Sequence, residues 1–270
     1  MGWASYREDI VSRFGGASRP PESKPLSHSL AGGASGAANE DRREEKKMIN
    51  LKVTISSARP LPVIVMADVS GSMAADGKID ALNSAVTEML AAFAQEDNGG
   101  TEIHVAVVTF GGEATLHTPL KPAKEVQWAP MRANGRTPLG AALDIVTDLL
   151  EDKTKVPSRA YRPTIVLASD GRPEEEPQGK WKTSIARLLS ADRAKKAQRF
   201  ALGIGADADH DVLRAFLDNP EARVFEAHEA REIRKFFLWV TMSVASRSRS
   251  AQPNQAVEVD PLDLDDYGGF

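Results

Sequence analysis

A chain of 270 residues with 41% hydrophobic and 27% charged side chains has globular composition and enough length for one substantial core. A formal net charge of -4 argues against nucleic-acid binding by phosphate neutralisation, and the absence of cysteine excludes disulfides, zinc–thiolate sites and thiol catalysis. No signal-like start and no apolar run of membrane-spanning length is present, so neither a membrane nor secretion is expected and the predicted location is cytoplasmic.

Trp3, Tyr6, Ile10 and Phe14 recur at helical spacing before Gly15-Gly16, which predicts a short amphipathic helix over residues 1–18. Its apolar stripe must dock on its own domain or on another chain, so Trp3, Tyr6 and Ile10 are candidate partner-binding residues. Ser, Pro, Gly and Ala, then charges, fill residues 19–47, the composition of a flexible linker. A core domain is predicted over 48–248. Ile49, Leu51, Val53 and Ile55 alternate with polar residues as in a half-exposed edge strand. Val63 to Ala67 is instead continuously apolar, as expected of a strand covered on both faces, and ends at Asp68.

Helix and strand periods then alternate. Ile79, Leu82, Val86, Met89, Leu90 and Phe93 mark a helix, Ile103 to Phe110 a strand, and Leu139, Leu143, Val146, Leu149 and Leu150 a second helix. Thr164 to Ala168, Phe200 to Ile204 and Val224-Phe225 read as strands. Helices lie over Ile185 to Leu189 and Val212 to Leu217, and Ile233, Phe236, Phe237 and Val240 mark a closing one. The expected fold is therefore α/β: a doubly wound, mostly parallel, Rossmann-like central sheet flanked by helices, with an N-terminal helix and flexible tails. Residues 249–270 end in Glu258, Asp260, Asp263, Asp265 and Asp266 with no base among them, and read as an acidic disordered tail.

In such sheets ligands bind at the carboxyl ends of strands near the switch in strand order. Asp68-Val69-Ser70-Gly71-Ser72 places a carboxylate and two hydroxyls at alternate positions of a tight loop there. Ser169-Asp170-Gly171 supplies a second carboxylate at an equivalent strand end, and Asn134-Gly135-Arg136-Thr137-Pro138 offers the Thr137 hydroxyl. Two carboxylates and three hydroxyls form a hard oxygen set, suited to Mg²⁺, with Mn²⁺ as second choice, rather than Zn²⁺ or Cu²⁺. Mg²⁺ keeps several waters, so one position stays open for an outside carboxylate.

Asp-x-Ser-x-Ser alone is a weak motif, but Asp68, Ser70, Ser72, Thr137 and Asp170 together resemble the metal-ion-dependent adhesion site (MIDAS) of von Willebrand factor A (VWA) domains. The resemblance covers about residues 60–245. It implies direct metal contact from Ser70 and Ser72, direct or water-mediated contact from Thr137, and mostly water-mediated support from Asp68 and Asp170. Within that superfamily, Gly77-Lys78-Ile79-Asp80-Ala81-Leu82-Asn83, Val108-Thr109-Phe110 and Phe236-Phe237-Leu238-Trp239-Val240 look like the bacterial TerY/YegL-type stand-alone proteins. That likeness implies a stress-response, tellurite-resistance or phage-defence setting, often beside a protein kinase and a PP2C-type phosphatase. Arg136 departs from the pattern, since Gly is usual before the Thr.

The resulting expectation is a Mg²⁺-dependent protein-interaction module, not an enzyme, whose partner supplies an Asp or Glu to the metal. Arg136, Arg172 and Lys180, with Arg132 and Lys182, are expected near the rim and would attract an acidic partner. Glu174-Glu175-Glu176 and the tail acids are candidates to reach the metal from within the chain. Two other readings stand beside this one: a metal-dependent phosphohydrolase, and a structural assembly subunit whose metal site is incidental. The first is disfavoured because Ser70 stands where a second carboxylate is wanted. The dinucleotide reading of Gly203-Ile204-Gly205 lacks its third glycine.

Overall fold

A computed structural model of the chain describes residues 58–96, 100–175 and 177–255. The N-terminal helix with Trp3, Tyr6 and Ile10, the linker, the alternating strand over 49–56 and the acids beyond residue 255 lie outside the described residues. Six strands form one sheet: β1 (Arg59–Asp68), β2 (Thr101–Gly111), β3 (Glu113–Pro122), β4 (Thr164–Ser169), β5 (Gln198–Ile204) and β6 (Val224–Ala227). Their spatial order is β3-β2-β1-β4-β5-β6. All neighbouring pairs are parallel except β2 with β3.

Five helices flank the sheet among the described residues: α1 (Lys78–Ala94), α2 (Leu139–Glu151), α3 (Lys180–Ser190), α4 (His210–Leu217) and α5 (Ala230–Arg249). Leu61, Val63, Val65 and Ala67 of β1 pack in the core shared with α1 and α5. Ile64 and Met66 pack in the opposite core, with α2, α3 and α4. The continuous apolar run of β1 results from this double coverage, and the doubly wound architecture is the one the sequence pattern predicts.

β3 is the element that pattern reading does not anticipate. Its segment carries Pro119 and Pro122, and a proline cannot donate to the ladder. It is tolerated because β3 is an edge strand hydrogen-bonded on one side, with register irregularities against β2 between Val105 and Val108.

At the far end of the fold, Arg247 of α5 is 1% exposed. It donates to Pro253 O, Thr164 Oγ1, Gln198 Oε1 and Arg162 O, tying the end of α5 to the amino ends of β4 and β5. Burial, with Arg162 nearby, lowers its pKa to about 10, so it stays charged at neutral pH. Residues past α5 turn back on the domain, and Asn254 Oδ1 accepts from the Arg162 amide at 2.8 Å. Among the described residues no helix is long and apolar enough to cross a membrane.

Candidate metal centre

Strand order reverses between β1 and β4, which opens a crevice at their carboxyl ends. Asp68 is the last residue of β1 and Asp170 comes directly after the last residue of β4. The sheet therefore brings together two carboxylates far apart in sequence, and both are buried. Asp68 Oδ1 accepts from the Ser70 amide at 2.9 Å, and its Oδ2 accepts from Ser169 Oγ at 2.6 Å. Ser70 Oγ lies 3.0 Å from Ser72 Oγ, which donates to Asp170 Oδ1 at 2.7 Å. The chain of contacts ends at Lys78, whose Nζ is 2.9 Å from Asp170 Oδ2.

Three backbone loops hold these side chains in register. Val69 N donates to Phe110 O, Asn134 N to Val69 O at 2.7 Å, Gly71 N to Gly135 O at 2.9 Å, and Gly112 N to Arg136 O at 2.8 Å. The loop after β1 is thus stitched to the loop after β2 and to the one before α2. Gly135 has φ +72°, and a Cβ there would stand 2.4 Å from Gly112 Cα. Buried Thr137 lines the same cleft as Ser72, Lys78 and Asp170. All five residues singled out as metal ligands therefore meet at one end of the sheet.

Charge in this crevice is unbalanced. Burial raises the Asp68 pKa to about 6, hydrogen bonds from Ser169 and Ser70 oppose the rise, and the Asp170 charge adds to it. Two buried carboxylates share one ammonium, that of Lys78. The donors are carboxylate and hydroxyl oxygens with no imidazole, and among the described residues no three His, Cys, Asp or Glu side chains gather as a metal-binding group. Hard oxygen donors with unneutralised negative charge fit a divalent ion such as Mg²⁺ or Mn²⁺, with water completing its shell.

The expected rim resolves less uniformly. Arg136 is exposed. Arg172 Nε lies 3.6 Å from Asp209 Oδ2, and Lys180 Nζ lies 3.4 Å from Asp144 Oδ2. Asp207, Asp209 and Asp211 line the same cleft, so the rim carries both signs. Glu175 is committed elsewhere: Oε2 accepts from the Gly140 amide at 2.7 Å and Oε1 from the Trp181 amide at 2.5 Å. It thereby satisfies the amino ends of α2 and α3 and is not free to reach a metal. Glu174 does line the cleft, and Glu176 lies outside the described residues.

Sequence reading missed Lys78, Ser169 and the acidic loop before α4. One signal for Lys78 was available: it opens α1, and a cation at a helix amino end is electrostatically misplaced unless an anion holds it. Gly205 gives it room, since a Cβ there would stand 3.3 Å from Lys78 Nζ.

Comparison with known proteins agrees with this fold. The model of the von Willebrand factor type A domain matches residues 63–238. Uncharacterized protein Rv2850c of Mycobacterium tuberculosis is 35% identical over 141 residues, which cover 49% of this chain and 21% of that protein. The chain therefore spans about a fifth of that relative. Among solved structures, a von Willebrand factor type A protein from Catenulispora acidiphila superposes with a TM-score of 0.54 at 21% identity, covering 69% of this chain and 42% of that one. Proximal thread matrix protein 1 from the mussel byssus, in a structure with a zinc-occupied MIDAS motif, gives 0.55 at 17%, covering 70% and 48%. The pilus adhesin SpaC from Lactobacillus rhamnosus GG in its open conformation gives 0.55 at 14%, covering 72% and 31%. At these identities the likeness is one of fold.

Proposed function

Because the chain belongs to the von Willebrand factor type A domain family, we propose that its crevice is a working metal-ion-dependent adhesion site that grips a carboxylate of a protein partner. The observation that carries this reading is the pair of buried carboxylates, Asp68 and Asp170, joined through serine hydroxyls and only half neutralised by one ammonium. Ser70, Ser72 and Thr137 would hold Mg²⁺, or Mn²⁺ in its place, with Asp68 and Asp170 supplying the compensating charge. When bound, the ion acts as a Lewis acid with an open position for an Asp or Glu oxygen. The chain's own residues would orient the ion, and the burial of Asp68 and Asp170 would keep bulk water from beneath it.

On this reading the protein is a binding module and not an enzyme, with a cytoplasmic location. Its TerY/YegL-type features turn the partner search toward a kinase or PP2C-type phosphatase of a bacterial stress-response, tellurite-resistance or phage-defence system. A zinc-occupied MIDAS in the mussel protein is a precedent, in the same fold, for a divalent ion at such a site.

Calorimetric titration of the full chain with MgCl₂ and MnCl₂ tests the first half. Binding is expected and should be lost in a Ser70→Ala, Ser72→Ala variant; equal affinity in the variant would overturn the site. The second half is read by water-proton relaxation of the Mn²⁺-loaded protein. A short Glu-bearing peptide should lower the enhancement by displacing bound water, and its amide Gln counterpart should not.

Lys78 makes a separate prediction. Its ammonium sits against Asp170 where it opposes a divalent ion, and in the metal-free protein it shields a buried carboxylate. Both effects penalise metal uptake, so Lys78→Met is expected to raise Mg²⁺ affinity by up to about tenfold. Unchanged or weaker affinity by the same titration would show that Lys78 plays no such part.

A further inference from the structure

Opposite the metal centre, the amino ends of β1 and β4 carry a group of cations with no acidic counterpart. Arg59, Arg162, Arg193, Lys196 and Arg247 make no ion pair with a carboxylate among the described residues. The guanidinium groups of Arg59, Arg162 and Arg193 donate to backbone carbonyls: Arg59 to Arg159 O and Ala160 O, Arg162 to Lys196 O, and Arg193 to Pro157 O. Arg193 Nη1 is buried without any acceptor. Glu151, the carboxylate beside them, directs Oε1 to the backbone amides of Arg193 and Ala194. An unpaired buried guanidinium nitrogen is costly, and an anion would relieve it.

Three of these cations, Arg162, Arg193 and Lys196, line a cavity of about 550 Å³. Leu150, Val156 and Pro163 are its buried apolar lining, and Arg162, Arg193 and Lys196 supply its charge. Asn254 lines it too, so the backbone leaves the described fold at the mouth of this cavity. The residues beyond that point in the sequence have matching chemistry. Val257, Val259, Leu262 and Leu264 interleave with Glu258, Asp260, Asp263 and Asp265, and residues 256–270 contain no Lys or Arg. The sequence over 257–260 and 262–265 thus supplies an apolar set and an acidic set of side chains. The lining of the cavity offers one surface for each.

We infer that residues 256–270 dock in cis on this basic cavity, at the end of the sheet opposite the metal centre. β4, whose six residues lie between the two sites, spans about 20 Å at ~3.3 Å per residue. The basic cavity is thus the nearer acceptor, and a tail held there leaves the metal centre open to its partner. This differs from the expectation that the tail acids fill the metal site, and it stands independently of whether that site binds metal.

The chain has no cysteine, so Gly268→Cys gives a unique attachment point for a spin label on the full-length protein. At low salt, paramagnetic broadening is expected at amides of residues 158–162 and 193–197, and not at Ser70, Ser72 or Thr137. It should fall several-fold in Lys196→Glu, whose native side chain holds no structural bond, and in about 1 M salt, where the Debye length is ~3 Å. Broadening centred on the metal site, broadening at no folded residue, or insensitivity to Lys196→Glu and salt would each overturn the proposal. So would broadening of equal strength when spin-labelled chain without ¹⁵N is mixed with unlabelled ¹⁵N chain, since that reports a second copy.

Discussion

Asp68→Asn is expected to make the metal-free protein more stable at pH 7 while abolishing divalent-cation binding. Asp68 is fully buried, and its pKa is raised from 3.8 to about 6, chiefly by burial. The sign comes from linkage: a folded-state pKa above the unfolded one means that the native state holds the proton more tightly. The stabilisation from the neutral form is complete below about pH 4 and is lost as pH rises through about 6. Ionised Asp68 therefore costs the metal-free fold about 3 kcal/mol at pH 7. The neutral amide of the Asp68→Asn variant would avoid that cost and keep both contacts, its carbonyl accepting from the Ser70 amide and its NH₂ donating to Ser169 Oγ.

Denaturant unfolding in EDTA should thus show the variant ahead by about 2–3 kcal/mol at pH 7.5 and nearly level with the native protein at pH 4. Mg²⁺ at a thousand times its dissociation constant should reverse the order at pH 7.5, since it adds about 4 kcal/mol to the native protein alone. A native protein already more stable than the variant in EDTA would contradict the account. The expected pattern is that of a site whose carboxylate is kept for binding at the expense of fold stability.

Gly135→Ala is expected to dismantle the same centre without touching a ligand. Gly135 combines φ +72° with a position where a Cβ would meet Gly112 Cα at 2.4 Å and Gly112 N at 2.6 Å. Both obstacles are backbone and cannot rotate away. The left-handed conformation alone costs a non-glycine residue about 1–3 kcal/mol, and relieving the overlap costs more. The loops would have to part, breaking the Gly71 N to Gly135 O and Gly112 N to Arg136 O bonds that align Ser70, Ser72 and Thr137. Expected results are a loss of about 3 kcal/mol or more in urea unfolding and an Mg²⁺ affinity reduced at least tenfold. Gly77→Ala is the control: Gly77 also has positive φ, but a Cβ there meets nothing within 4 Å, so stability should drop modestly with metal affinity little changed.

Most of this architecture is legible in the sequence because burial on both faces writes an unbroken apolar run, as at Val63–Ala67, while helices write a 3.6-residue period. The strand ends could be read from those runs, and with them the meeting of Asp68 with Asp170. Less legible were segments whose composition contradicts their conformation. Pro60 and Pro62 belong to β1, yet the pattern begins only at Val63. They are accommodated because pairing with β4 also starts there, leaving the prolines in a stretch paired on one side, with β2. β3 was hidden for the same reason. Lys78 was missed, and Glu175 was read as a candidate for the metal, because their roles depend on partners that no local spacing reveals: Asp170 is 92 positions from Lys78, and Gly140 is 35 from Glu175.

The position of β1 has a consequence for how the molecule is made. β1 is the first strand described along the chain, but it lies inside the sheet, and its partner β4 is about a hundred residues away, with Val63 opposite Thr164. Such long-range parallel pairing is slow, and loop closure must precede any gain from it. During synthesis, a nascent chain ending before residue 164 can pair β1 with β2, and β2 with β3, but must leave the other edge of the apolar strand β1 bare, a state prone to association. The same closure brings Asp170 to Asp68. The two buried carboxylates therefore meet only once β4 has arrived, and the crevice between them cannot form in a chain that has not folded through β4.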